Sequence, residues 1–249
     1  IFDTFGLMIE CEKTAPYRYY IENVDDMKSD GIENWLLSTY SVSNALIESK
    51  SIKDRIILED VPSGREYLEP ILESMKINRF IHITYYNYWR DDLREHYLMP
   101  LCIKLFRQRW YMVGRQWPSG NDTIYSLDRI RGFRLSSHSF EYPKDFNPQE
   151  YFAGCFGIIA ATDCDIQKVR LKVNSGQANY LRDLPLHESQ RETERTEEYS
   201  IFEYHLRPTF DFQQEILWNG EDVEVLEPLW LRNEIAGKIK RMWNKYNKE

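Results

Sequence analysis

Five short segments in the middle of this 249-residue chain alternate apolar and polar residues with the period of a β-strand. The segments are residues 80–86, 97–106, 109–116, 123–127 and 130–135. Short connections join them, and residues 117–122, which include a proline and a glycine, are typical of a tight turn. Because strands this short must share one core, we expect a small five-stranded barrel that closes on itself and leaves no edge strand open.

The segment at 109–116 would present two faces of different chemistry. Alternate side chains of a strand share a face, so Arg109, Tyr111 and Arg115 point one way while Trp110 and Met112 point the other. The pattern alone leaves two interpretations open. The arginines are either solvated surface charges over a filled interior or, together with Tyr111, groups that face a ligand.

The last third of the chain follows a different pattern. Strand-like and helix-like segments alternate as strand 165–173, helix 176–184, strands 186–192 and 199–207, helix 210–218 and strand 223–226. This βαββαβ order predicts a ferredoxin-like domain, so the whole chain belongs to the α+β class. A final helix begins near Pro228 and carries Leu231, Ile235 and Ile239 on one stripe that continues to Met242 and Tyr246. That stripe must pack on the sheet or on a second copy of the chain.

The first quarter of the chain predicts smaller elements. Two β-rich runs within residues 1–23 predict a hairpin, which would not be stable alone. Helical spacing within residues 24–64 predicts a helical connector, and Ser63 to Glu66 has the form of a capping box for a further helix, whose Pro70 favours a start near Tyr67. The predicted boundaries are hairpin 1–23, connector 24–64, barrel domain 65–150, linker 151–164 and C-terminal domain 165–249.

Charge and cysteine usage limit the class of protein. The net charge of −8 argues against a surface that coats nucleic acid as a whole, but residues 76–134 hold 11 Lys or Arg against 5 Asp or Glu. An anionic partner is therefore expected on the middle third. The four cysteines have no zinc-ligand spacing, so we expect a reducing, cytoplasmic setting without a metal or cofactor. No apolar run reaches the roughly 18 residues of a membrane-spanning helix, and no catalytic motif is present, so neither a membrane protein nor an enzyme is expected.

Two motifs resemble a known family. The run from Arg109 to Arg115, with Trp110, Tyr111 and Met112 at its centre, and the later Leu127-Asp128-Arg129-Ile130 resemble the signature of the WYL domain, with Met112 in place of the leucine. Residues 220–228 and the helix after them resemble the WCX-like extension that often follows it. The resemblance implies an SH3/Sm-like barrel and the ligand-sensing, dimerising portion of a bacterial transcription regulator.

The same resemblance implies a ligand site in the barrel. Its expected residues are Tyr85, Lys104, Arg109, Tyr111, Arg115 and Arg129, and Arg207 with Trp218 would line a groove of the extension. Guanidinium groups pair with phosphates and tyrosine rings stack on bases, so the expected effector is a nucleotide or a single-stranded nucleic acid. Plainer roles stay open: Asp128 and Arg129 could form a structural salt bridge, and Tyr85 could be a core residue. The family often has an arginine just before the Leu127 motif, which residues 122–126 lack, so the pocket would be less selective for phosphate.

Partners follow from the resemblance as well. A WYL regulator is expected to form a homodimer and to bind operator DNA through a winged helix, whose helices would lie upstream of Ile1 and whose wing would be the hairpin at 1–23. The alternative is a module that binds single-stranded nucleic acid and regulates a partner enzyme of a defence system. A helix-turn-helix in the upstream sequence would favour the first interpretation, and an unrelated domain there the second.

Overall fold

The computed structural model describes residues 9–11, 13–14, 19–21, 39, 42–43, 52, 55, 57, 63–160 and 164–247. The chain forms two units, Ile1–Asp60 and Val61–Glu249. In the first, strand β1 (Ile9–Cys11) pairs antiparallel with β2 (Tyr19–Ile21). That this pair is the wing of a winged helix stays a prediction. The connector helices predicted between residues 24 and 62 lie largely outside the described residues.

Helix α1 (Arg65–Lys76) opens the second unit. It starts at Arg65 rather than near Tyr67, and Gly64 is its N-cap, without a side-chain cap, so the predicted capping box does not form. Gly64 has a positive φ of 65°, and a Cβ at this position would overlap the backbone of Leu127. A glycine is therefore required where the helix begins.

The predicted strands form one antiparallel sheet. Its members are β3 (Arg79–Asn87), β4 (Asp92–Phe106), β5 (Arg109–Gln116), β6 (Asp122–Ser126) and β7 (Ile130–Ser139). The order is β6-β5-β4-β3-β7, so the last strand returns to pair with the first. The expected closure is wrong: among the described strands, β6 and β7 are the two edges and do not pair. The reason is that β6 ends after five residues at the 3-10 turn Leu127–Arg129, where buried Leu127 packs in the same core as Ile71 of α1.

Both faces of this sheet are covered. On one face, Ile71 of α1 packs with Met112, Tyr125 and Leu127. On the other face, Val113 packs with side chains that include Phe146 from the segment after β7. That segment continues into the short helix α2 (Pro148–Tyr151), which Asn147 caps by accepting hydrogen bonds from two backbone N–H groups.

The C-terminal domain has the predicted βαββαβ order. It contains β8 (Gln167–Asn174), α3 (Ser175–Asp183), β9 (Arg191–Arg195), β10 (Tyr199–Leu206), α4 (Phe210–Trp218), β11 (Val223–Glu227) and α5 (Leu229–Tyr246). Its antiparallel sheet has the order β11-β8-β10-β9, and all five residues of the edge strand β9 are exposed. The α+β class is therefore confirmed. Among the described residues, no helix is long and apolar enough to cross a membrane.

The two domains meet through the segment between α2 and β8, which includes residues 157–159 and is called the joining segment below. Lys104 Nζ of β4 donates to the carbonyl oxygen of Gly157 at 2.7 Å. The Asp211 carboxylate in the first turn of α4 accepts from the backbone N–H groups of Ile158 at 2.8 Å and Ile159 at 2.9 Å. One joining segment is thus held from both sides, by a cation of the first sheet and an anion of the C-terminal domain.

Candidate ligand-binding site

Arg129 lies between two tyrosine rings at the end of β3. Its guanidinium carbon is 4.7 Å from the ring centre of Tyr85 and 4.1 Å from that of Tyr88. Its Nε and Nη2 donate to the carbonyl oxygen of Tyr86 at 3.1 and 2.8 Å. Tyr85 is buried and its hydroxyl accepts from the backbone N–H of Ser126 at 3.1 Å. Two cation–π contacts and two hydrogen bonds therefore fix the orientation of this cation.

Arg109 is paired with Asp128, which also accepts from the Ser126 hydroxyl. Burial raises the pKa of Asp128, but the hydrogen bonds from Ser126 and Arg109 outweigh it and hold that pKa below its ordinary value. The salt bridge considered for Arg129 is thus made by Arg109 instead. Nε of Arg109 is buried and has no hydrogen-bond partner among the described residues, which is a costly state for a charged donor.

Tyr111 and Lys104 continue the same region. Tyr111 is buried on β5, opposite Lys104 of β4 and Ser126 of β6. Lys104 reaches the Gly157 carbonyl and lies 4.1 Å from the ring centre of Phe152. Burial lowers the pKa of Lys104. Its ammonium group therefore faces the domain junction rather than an open cleft.

Arg115 is separated from the other predicted residues. It lies six residues from Arg109 on the same strand, about 20 Å at strand rise. Its Nε and Nη2 donate to Asp122 at 2.7 and 3.0 Å, and its Nη1 donates to Asp145 at 3.1 Å. These hydrogen bonds to Asp122 raise the pKa of Arg115. Two carboxylates neutralise this guanidinium, and its side chain is only 16% exposed.

Sequence reasoning missed the tip of the β3–β4 hairpin. Asn87 Oδ1 accepts from the backbone N–H groups of Trp89 at 2.9 Å and Arg90 at 3.2 Å, which fixes the turn. Trp89 is 96% exposed and directly follows Tyr88, one of the two tyrosines whose rings contact Arg129. The available signal was the presence of aromatic residues in a turn, a position that usually holds small polar ones.

The two residues expected in a groove of the extension do not lie together. Arg207 donates to the carbonyl oxygens of Ala153 at 3.2 Å and Cys164 at 2.5 Å, which lie near the two ends of the joining segment. Trp218 is the last residue of α4 and is 84% exposed. The nine-residue helix, about 13 Å long, separates them.

Metal-ligating and thiol side chains form a separate class of possible reactive groups. Within the described part of the chain, no group of three His, Cys, Asp or Glu side chains is placed to hold a metal ion. Burial raises the pKa of the Cys102 thiol to about 11, so its nucleophilic thiolate is scarce at neutral pH.

Two family models match the two domains of this architecture. Family models for the WYL domain and the WCX domain match residues 66–135 and 165–243, together more than half of the chain. Similar solved structures include the proteasome accessory factor B/C (PafBC) of Arthrobacter aurescens, at 17% identity, 96% of this chain, 38% of that chain and a TM-score of 0.38. Another is a CRISPR Cas-related protein, at 15% identity, 74% of this chain, 53% of that chain and a TM-score of 0.47.

This chain thus spans about two fifths and one half of those two proteins. No curated protein matches it. The signature in β5, the 3-10 turn after β6 and the ferredoxin-like domain all fall inside the two matched stretches. The chain therefore belongs to the WYL-domain family and carries a WCX domain after its WYL domain.

Proposed function

We propose that this chain is the ligand-sensing part of a WYL-type transcription regulator and that its effector is a nucleotide or a single-stranded nucleic acid. The observation that carries the proposal is the fixed guanidinium of Arg129 between Tyr85 and Tyr88, together with the exposed ring of Trp89, the next residue after Tyr88 in sequence. A rigid cation suits a phosphate or a base edge, and an exposed indole ring suits the face of an unpaired base.

The proposed site is narrower than the one expected from the sequence. It keeps Arg129 and the three residues that contact or lie opposite Ser126 and Asp128, namely Tyr85, Arg109 and Tyr111, and it adds Trp89. Arg115 is left out because two carboxylates, Asp122 and Asp145, neutralise it and its side chain is only 16% exposed, whereas Arg109 pairs with one carboxylate and is 39% exposed. We give Lys104 and Arg207 a different role, that of holding the joining segment.

Signal transfer would use the junction between the domains. A ligand that contacts Tyr111 and Arg109 would lie on β5, the strand next to β4. On β4, Lys104 lies opposite Tyr111, and its ammonium group holds the joining segment. If two arrangements of the domains differ in affinity for the ligand, binding shifts the population toward one of them. The proposal further includes that the chain forms a homodimer and that residues upstream of it bind operator DNA.

The test is fluorescence anisotropy with labelled oligo(dT) of about 12 nucleotides. We expect Arg129→Gln to weaken binding about tenfold, because it removes a fixed charge and its stacking contacts. Arg134→Gln is the matched control, since Arg134 is an exposed arginine of the neighbouring strand β7. Absence of binding by the unaltered chain at about 100 μM, or equal loss in both variants, refutes the proposal.

A further inference from the structure

The apolar stripe of helix α5 continues beyond the core that it helps to form. Leu231 and Ile235 are buried against the C-terminal sheet. Ile239, Met242 and Tyr246, one to three turns further on, are 52%, 48% and 87% exposed. The last two turns therefore display apolar side chains with no covering element among the described residues.

These turns form one wall of a cleft. The opposite wall is the end of α4, where Leu217 and Trp218 meet Met242 across a cavity of about 470 Å³. Most of the lining is apolar carbon, and Trp218 is almost fully exposed beside it. An exposed apolar cleft of this kind marks an interaction site more often than a plain surface.

A row of cations borders the cleft on the side of α5. Lys238, Arg241 and Lys245 recur at spacings of three and four residues and so lie along one side of the helix. Lys238 bonds Gln213 at 2.5 Å, and the shared acid Glu234 is 3.8 Å from Lys238 and 4.0 Å from Arg241. Residues 235–247 hold four Lys or Arg and no Asp or Glu, in a chain whose net charge is −8.

We propose that the α4–α5 cleft binds an acidic amphipathic helix of a partner protein. Lys238 to Lys245 span about 10 Å, which matches two turns of a bound helix with apolar anchors at i, i+3 or i+4, and i+7. The apolar lining takes those anchors, and the row of cations takes carboxylates on one flank. A phosphate backbone would pair with the cations but would leave the apolar side chains of Leu217, Trp218 and Met242 uncovered. Pairing of α5 with α5 of a second copy would set cations against cations.

The experiment uses a fluorescein-labelled peptide of about 14 residues with leucines on one helical face and glutamates beside them. A peptide of the same composition, reordered so that the leucines do not share a face, is its control. Oligo(dT) is measured in parallel, and light scattering reports the mass of the chain. We expect the amphipathic peptide to bind at least about tenfold more tightly than the reordered one.

Variants then locate the site. Arg241→Glu with Lys245→Glu should weaken binding about tenfold, while Lys240→Glu, on the far side of the same helix, should change it less than about twofold. Circular dichroism confirms that each variant is folded. Equal binding of both peptides, or equal loss in the reversed and control variants, overturns the proposal. So does tighter binding of oligo(dT) at this cleft, or a dimer mass that only the double reversal abolishes, which would assign the cleft to a second copy.

Discussion

Replacing Asp211 by alanine removes the acceptor that holds the joining segment to the C-terminal domain. Asp211 accepts from the N–H groups of Ile158 and Ile159 at 2.8 and 2.9 Å. A hydrogen bond to a charged group contributes about 1.5 kcal/mol or more, and two orphaned donors near a packed junction lose that contribution together. Because the segment is partly exposed and water can replace part of the loss, we expect the free energy of unfolding to fall by about 2–3 kcal/mol.

Urea denaturation followed by circular dichroism measures this change. The midpoint should move down, and at a typical slope for a chain of this size the shift is about 1 M. Asp183→Ala, an exposed aspartate at the end of α3, is the matched control and should stay within about 0.5 kcal/mol. A change of less than about 0.5 kcal/mol in Asp211→Ala would show that the carboxylate does not stabilise the junction. In that case the route proposed for signal transfer through residues 157–159 loses its physical basis.

Three further outcomes are expected. Trp89→Ala should weaken oligo(dT) binding by roughly 5- to 100-fold in anisotropy titrations, whereas Trp117→Ala should not, and an equal loss on an abasic strand would exclude stacking. Arg115→Gln should lower the free energy of unfolding, measured in urea, by about 1–2 kcal/mol, because Asp122 loses its partner. The same change should leave oligo(dT) affinity unchanged, and a loss of affinity would show that Arg115 belongs to the ligand site. The hydrogen bond from Arg182 lowers the pKa of Glu192 to about 2, so the stability it adds is present above pH 4.5 and lost as the pH falls toward 2. The difference in urea midpoint between the unaltered chain and Glu192→Gln should therefore shrink over that range, and a constant difference would contradict the shift.

Local pattern carried much of the fold. The two-residue period located the strands of the WYL sheet because each has an apolar side that must be buried, and the βαββαβ order followed from the alternation of periods. The strand predicted from 186 begins only at Arg191. Residues before it form a turn in which Gln190 accepts from the backbone N–H of Leu186 at 3.0 Å. Such a side-chain bond is invisible to an analysis of period.

Long-range packing decided the rest. The alternation in β5 placed Arg115 on one face correctly, but its neutralisation depends on Asp145, 30 residues away. The same face of β5 is covered by Phe146, whose position depends on the path of the chain after β7. The pairing of Arg109 with Asp128 depends on the 3-10 turn, whose backbone lies close against Gly64 at the start of α1. Such partners are set by the tertiary structure. A local sequence pattern therefore does not predict which cations remain available to a ligand.

Strand β9 bears on how copies of this chain can associate. Its sequence, Arg-Glu-Thr-Glu-Arg, places ionic side chains along an outer border whose backbone groups would otherwise template a further strand. Like charges directly opposite one another in an added strand are unfavourable. Fibre-like growth through this border of the C-terminal sheet is therefore opposed.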